Sequence, residues 1–240
     1  MSYCGNILIT GNSSGIGYSL TEEYLKQGWT VYGLSRRGCS GLNGDLYDIR
    51  CDLTDLDAIE SALERLLTDV DALDLVVLNA GVLGLIQELN KTSLEQIKQI
   101  MDVNLWANKA IMDYLYRSDI QIRQIVMMSS GAAVNGSKGW GGYSLSKAAL
   151  NMLAKLYVSE FPDTHIAAFA PGVVHTQMLD YIRDDVDIEE FPSAQRLREA
   201  IGTDQMPEPD QAAELLVEAF ARLPQYPSGS FLDIRTMDLV

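Results

Sequence analysis

ILITGNSSGIG, residues 7–17, is an apolar run that breaks into glycines and then opens an amphipathic stretch, SLTEEYLKQG at 19–28. The run reads as a strand, the glycines as a turn and the amphipathic stretch as a helix. Gly11 permits the sharp turn, while Gly15 and Gly17 remove side chains where backbone approaches a pyrophosphate and where helix packs on sheet. Backbone N–H groups of the turn, which also contains Ser13, Ser14 and Ile16, then face the phosphates together with the positive end of the helix dipole. The spacing is G-x-x-x-G-x-G instead of the commoner G-x-G-x-x-G, so its weight comes from its place directly after the first strand.

Outward from this turn the same alternation continues. Apolar runs TVYGLS at 30–35, LDLVVLNAG at 73–81, QIVMMSS at 124–130 and HIAAFAP at 165–171 alternate with amphipathic stretches at 56–70, 93–117, about 143–160 and 210–223, and a last strand falls near 229–234. Runs this uniformly apolar, separated by helices, predict a parallel sheet covered on both faces: an α/β, doubly wound fold. Its length of 240 residues suits a single domain over 1–240. Ligands of such sheets bind beyond the carboxyl ends of the strands. Only 177–209 departs from the pattern, with acidic residues, three prolines and weak periodicity. It reads either as a substrate lid or as a surface insertion with a solvated acidic face.

The second strand ends in Ser35-Arg36-Arg37, where an acidic residue would accept from ribose hydroxyls and an arginine instead pairs with a 2′-phosphate. That favours NADP over NAD, against the alternative of two solvated arginines. The third strand leads into Asp52-Leu53, where Asp52 either accepts from an adenine amino group or serves as a loop or helix-capping carboxylate. A net charge of −15 disfavours nucleic acid as a partner. Three cysteines without a CxxC pair read as free thiols of a reducing compartment. Two histidines do not support a zinc site. No apolar run reaches the roughly 18 residues of a membrane span, and the N-terminus does not read as a signal peptide, so the expectation is a cytoplasmic protein away from membranes.

GGYSLSKAAL at 141–150 places Tyr143 and Lys147 four apart, on one face of a helix. Alone, such a pair reads as a half-buried ring and a solvated amine. With TGNSSGIG (10–17), CDLTD (51–55), LNAG (78–81), VNL (103–105), MSSG (128–131), YSLSK (143–147) and PGVVHT (171–176), the chain resembles the short-chain dehydrogenase/reductase family over nearly its whole length. The resemblance implies a Rossmann fold and a catalytic set of Asn104, Ser130, Tyr143 and Lys147. Tyr143 would exchange a proton with the substrate oxygen. A phenol with pKa about 10 is a poor base near neutrality, so Lys147 would lower it while holding the nicotinamide ribose. Ser130 would orient the substrate oxygen and Asn104 anchor a water leading from Lys147 to solvent. Asn79, Ala80 and Gly81 would floor the cofactor, with Pro171 and Gly172 turning the chain and Val174 and Thr176 meeting the carboxamide.

GWGGYSLSKAALNML and PGVVHTQMLDYIRD are most similar to the sepiapterin reductase and benzil reductase branch, which implies an NADPH-dependent carbonyl reductase acting on vicinal dicarbonyls of aromatic or pterin substrates. Asp233 falls where a pterin-anchoring carboxylate is implied, or else is an edge-strand carboxylate facing water. Trp140 walls an aromatic substrate or packs under the lid. The resemblance further implies a homodimer or homotetramer through the 93–117 and 143–160 helices. The alternatives are an alcohol dehydrogenase working in the oxidising direction and a nucleotide-sensing protein on the same fold.

Overall fold

The structure is a computed structural model that describes residues 4–203 and 205–238. Among the described residues nine strands, β1 (Asn6–Thr10), β2 (Thr30–Ser35), β3 (Leu46–Arg50), β4 (Ala72–Leu73), β5 (Leu75–Leu78), β6 (Gln121–Ile122), β7 (Gln124–Met128), β8 (His165–Ala170) and β9 (Ser230–Asp233), alternate with eight α-helices. Seven of the strands form one sheet in the order β3-β2-β1-β5-β7-β8-β9, every neighbouring pair parallel, while β4 and β6 form a short pair of their own. The order reverses between β1 and β5, and there the carboxyl ends of the strands diverge to leave a crevice.

Both faces of the sheet are buried along its central strands, which is why those strands lack polar alternation. Leu8, Leu34, Val76, Leu78, Ile125, Met127 and Ala168 face one layer, built from α2 (Leu56–Leu66), α4 (Ala107–Arg117) and α5 (Gly141–Tyr157). Their neighbours Ile7, Ile9, Val31, Leu75, Val77, Val126 and Phe169 face the other, built from α1 (Gly15–Lys26) and α8 (Pro209–Arg222). At 93–117 the single expected helix is interrupted. Helix α3 (Leu94–Met101) passes into a π-helical turn, Asp102–Trp106, before α4 resumes. Ser93 and Gln96 close a capping box at its start. The atypical segment after β8 folds into α6 (Gln177–Asp185) and α7 (Pro192–Ala200). These two helices build a third apolar cluster in which Leu179, Ile182, Phe191 and Ala194 pack on Leu83 and Ile86.

The glycine turn is packed to its limit. A Cβ at Gly17 would lie 2.4 Å from the Gly11 carbonyl oxygen and 2.5 Å from Asn79 Nδ2, so Gly17 serves contact between helix and sheet more than contact with a ligand. Gly17→Ala is expected to cost about 2 kcal/mol, because backbone has to give way, and to lower Tm by roughly 4–8 °C at this chain length. A thermal melt of the cofactor-free protein reads it directly.

Candidate active site

The crevice is a continuous cleft of about 650 Å³ that runs from the β2–β3 ends, over the glycine turn, to the start of α5. Gly11, Ser13, Ser14, Gly15 and Ile16 line it on one side, with Ser35, Arg36, Arg37, Asp52 and Leu53 at one end. Asn79, Ala80 and Gly81 form the floor, and Ser130, Trp140, Tyr143, Lys147, Pro171, Gly172, Val174 and Thr176 complete the other end. Gly17 and Asn104, by contrast, are buried beneath it.

The local sequence explains the cradle. Gly11 and Gly15 have φ of 71° and 54°, the left-handed region that favours glycine. Gly11 N donates to Leu34 O, and a Cβ on Gly15 would come within 3.3 Å of Thr176 Cγ2. Ser14 caps α1 without a side-chain bond, and the first turn of α1 holds no acidic residue, so its N–H groups stay available to an anion. Asn79 Nδ2 donates to Thr10 O, and Ala80 N donates to Thr10 Oγ1, which locks the floor to β1. At the far end Arg37 Nη2 donates to Ser14 Oγ at 2.8 Å, and the buried Ser35 hydroxyl has no hydrogen-bond partner. A bare glycine cradle, an open helix N-terminus and an orphaned hydroxyl just ahead of two arginines fit a dinucleotide. Asp52 Oδ1 accepts from Thr54 N and Thr54 Oγ1, which with the Arg36 charge holds its carboxyl below the usual range.

At the catalytic end, Tyr143 sits in the first turn of α5 and Lys147 one turn on. Lys147 is 3% exposed, and its Nζ donates to Met128 O at 2.7 Å and lies 5.7 Å from the centre of the Tyr143 ring. Burial pushes this amine down to about 8. Burial pushes the Tyr143 phenol up, while a hydrogen bond with the Ser130 side chain pulls it down. Ser130, after the end of β7, also accepts from Ala132 N, so the loop that follows fixes its hydroxyl.

Asn104 does not line the cleft itself. The π turn aims its amide under the floor, where Nδ2 donates to Val82 O and Ser146 Oγ and Oδ1 accepts from Val82 N. Its main-chain oxygen accepts from Asn108 Nδ2. Ser146 Oγ in turn donates to Tyr143 O, so Asn104 is wired to the backbone of the tyrosine turn. Ser146 was not singled out by sequence, although it lies inside YSLSK at the i+3 position from Tyr143. Ser129 is buried and bonded to Asn151 Oδ1, leaving Ser130 as the hydroxyl beside Tyr143.

The two expected substrate residues part company. Trp140 lines the cleft with its ring centre 6.1 Å from that of Tyr143, and its indole N–H also donates to Ser193 Oγ of α7 at 2.7 Å. Asp233 does not line the cleft. It accepts from Arg235 N and Nε and forms an ion pair with the Arg235 guanidinium, which holds its carboxyl low. Together with Trp140, α6 and α7 contribute Met178, Leu179, Tyr181, Ile182 and Leu197 as an apolar wall. Tyr181 Oη accepts from Ile86 N, and Lys138 pairs with Glu88 and Glu190, so α6 is tied to the loop after β5 and the α6–α7 connection to the loop before α5. His175 faces away toward Glu208, its Nδ1 2.8 Å from Oε1. Cys39 and Cys51 are free thiols, no group among the described residues has the makings of a metal site, and no described helix is long and apolar enough to cross a membrane.

A parallel sheet with a glycine cradle at its switch point and a Ser-Tyr-Lys cluster beside it defines a nicotinamide-dependent oxidoreductase of the α/β class. Residues 5–187 match the short chain dehydrogenase family, to which the chain belongs. The chain is 32% identical to a benzil reductase ((S)-benzoin forming) of Saccharomyces cerevisiae over 247 residues, covering 94% of each chain. A protein of the same description from Bacillus subtilis is 28% identical over 239 residues, covering 95% of this chain and 97% of its own. Among solved structures, a short chain dehydrogenase/reductase from Saccharomyces cerevisiae superposes with a TM-score of 0.84 at 24% identity over 98% of both chains.

Proposed function

We propose that the protein is an NADPH-dependent carbonyl reductase of small aromatic substrates, vicinal dicarbonyls foremost. The observation that carries this reading is the wall of Trp140, Met178, Leu179, Tyr181 and Ile182 closing over Tyr143, a site apolar and aromatic except at the reacting oxygen. The likeness to two benzil reductases points the same way. Since Arg235 already occupies Asp233, an aromatic diketone fits better than a pterin that needs a free carboxylate.

When bound, the nicotinamide supplies the hydride. Ser130 donates a hydrogen bond to the carbonyl oxygen and fixes it beside the phenol. Tyr143 then gives its proton to that oxygen as negative charge develops there. Lys147, buried behind the ring, stabilises the phenolate left behind, and Asn104 with Ser146 keeps the tyrosine turn in place. Segment 177–209 acts as a lid that excludes water from this transfer. Arg36 and Arg37 take the 2′-phosphate. Leu145, Met152 and Leu156 form an exposed apolar row along α5 that suits a second copy of the chain, as a homodimer or homotetramer.

The test is oxidation of NADPH and NADH by the purified protein with benzil, isatin, sepiapterin and simple aldehydes and ketones. The expected result is turnover of benzil and isatin with NADPH at least tenfold above that of aliphatic ketones. Equal turnover across the panel, or a preference for NADH, would sink the reading.

A further inference from the structure

Asn12 lies inside the glycine turn, fully buried, yet its side chain reaches away from the cleft. Its Nδ2 donates to Asp48 Oδ1 on β3 at 2.7 Å, crossing beneath β2, while its Oδ1 has no partner. The crossing is possible only because β2 is bare there. A Cβ on Gly33 would lie 2.0 Å from Asn12 Nδ2 and 2.4 Å from Asp48 Oδ1. The other carboxylate oxygen, Asp48 Oδ2, accepts from Cys39 N at 2.9 Å. Between them Gly38 turns with φ of 76°, and a Cβ there would be 3.0 Å from Asp48 Oδ2 and 3.1 Å from Arg50 Nε.

One carboxylate therefore holds two separate parts of the cleft: the pyrophosphate turn through Asn12, and the turn after Arg36-Arg37 through Cys39. Arg37 closes the loop from the cleft side by donating to Ser14 Oγ. Asp48 itself does not line the cleft, and both of its oxygens are taken by N–H donors, so it does not meet a ligand phosphate. We propose that Asp48 is a positioning residue for the 2′-phosphate end of the cleft, setting the distance between the glycine turn and the arginine turn. The inference rests on the NADP reading above. Were Asp48 only a packing residue, its loss would weaken every adenine nucleotide alike.

The experiment is calorimetric titration with adenosine 2′,5′-bisphosphate and with 5′-AMP, applied to the wild type, Arg36→Ala, Asp48→Ala and Asp48→Asn. The wild type is expected to bind the 2′-phosphorylated probe at least tenfold tighter, and Arg36→Ala to lose most of that ratio. Asp48→Ala should cut the ratio at least fivefold with 5′-AMP affinity changed less than twofold, and Asp48→Asn, keeping one acceptor oxygen, should fall between. If Asp48→Ala does not fold, the ratio of Asp48→Asn against wild type decides. A ratio kept in the Asp48 variants but lost in Arg36→Ala overturns the positioning role and leaves the NADP reading standing, as does an equal loss for both probes. A wild type without preference overturns the NADP reading and the positioning role together.

Discussion

Tyr143→Phe lowers kcat for carbonyl reduction at pH 7 by about 10³-fold, within the 10²–10⁴ range of a positioned general acid, and leaves NADPH affinity within about threefold. The substitution removes only a hydroxyl. Phenylalanine keeps the ring that packs near Trp140, and the glycine turn and Arg36, the proposed hold on the nucleotide, lie elsewhere in the cleft. Ser130 alone can polarise the carbonyl, but it has no buried cation behind it to take up the charge left by a donated proton. Steady-state kinetics paired with a fluorescence titration of NADPH separates the two effects. Turnover within tenfold of wild type would remove Tyr143 from the proposed mechanism, and a parallel loss of NADPH binding would recast it as a structural residue.

Lys147→Met should do two opposite things, abolishing most turnover while making the cofactor-free protein more stable. The amine is almost wholly buried and is held near 8 against an ordinary 10.5. Between those values the unfolded chain binds more protons than the folded one, so stability rises as pH climbs from about 8 to 10.5. Below pH 8 the whole cost of burying the charge is present. At 1.36 kcal/mol per pKa unit it comes to about 3 kcal/mol, offset by about 1 kcal/mol for the hydrogen bond to Met128 O that methionine cannot make. The net gain of about 2 kcal/mol raises Tm by roughly 4–8 °C at pH 7, and melts across the pH range should show the difference closing by about pH 10. Turnover should fall at least about 10²-fold. A variant less stable than wild type at pH 7 would mean that the ammonium is better solvated than its burial indicates.

The parts of the fold legible in sequence are those set by local pattern. Apolar runs such as NILIT and QIVMM are buried on both faces and therefore read as strands at once, and the glycines at 11 and 15 mark the switch-point turn because glycine adopts their positive φ without strain. Tyr143 and Lys147 stand out because four residues make one helical turn. What sequence did not disclose depends on contacts distant along the chain. Asn12 and Asp48 are 36 residues apart and meet only because β2 is bare at Gly33. Asp233 looked like an available carboxylate because nothing in SGSFLD reveals that Arg235, two residues on, will fold back onto it. The apolar wall from α6 and α7 was hidden by a strongly charged composition whose few apolar residues all turn inward.

The π turn at Asp102–Trp106 bears on how such a helix carries information. It accommodates one residue more than an α-helical turn would, which amounts to a phase slip of about 100° between α3 and α4. Ile100 before the turn and Ile111, Met112 and Leu115 after it are all buried in the core. Asn104 lies within this turn, fully buried, and its amide bonds Val82 and Ser146. The turn thus seats one polar side chain, Asn104, in a core that the helix on either side fills with apolar ones, and its amide is fully bonded there.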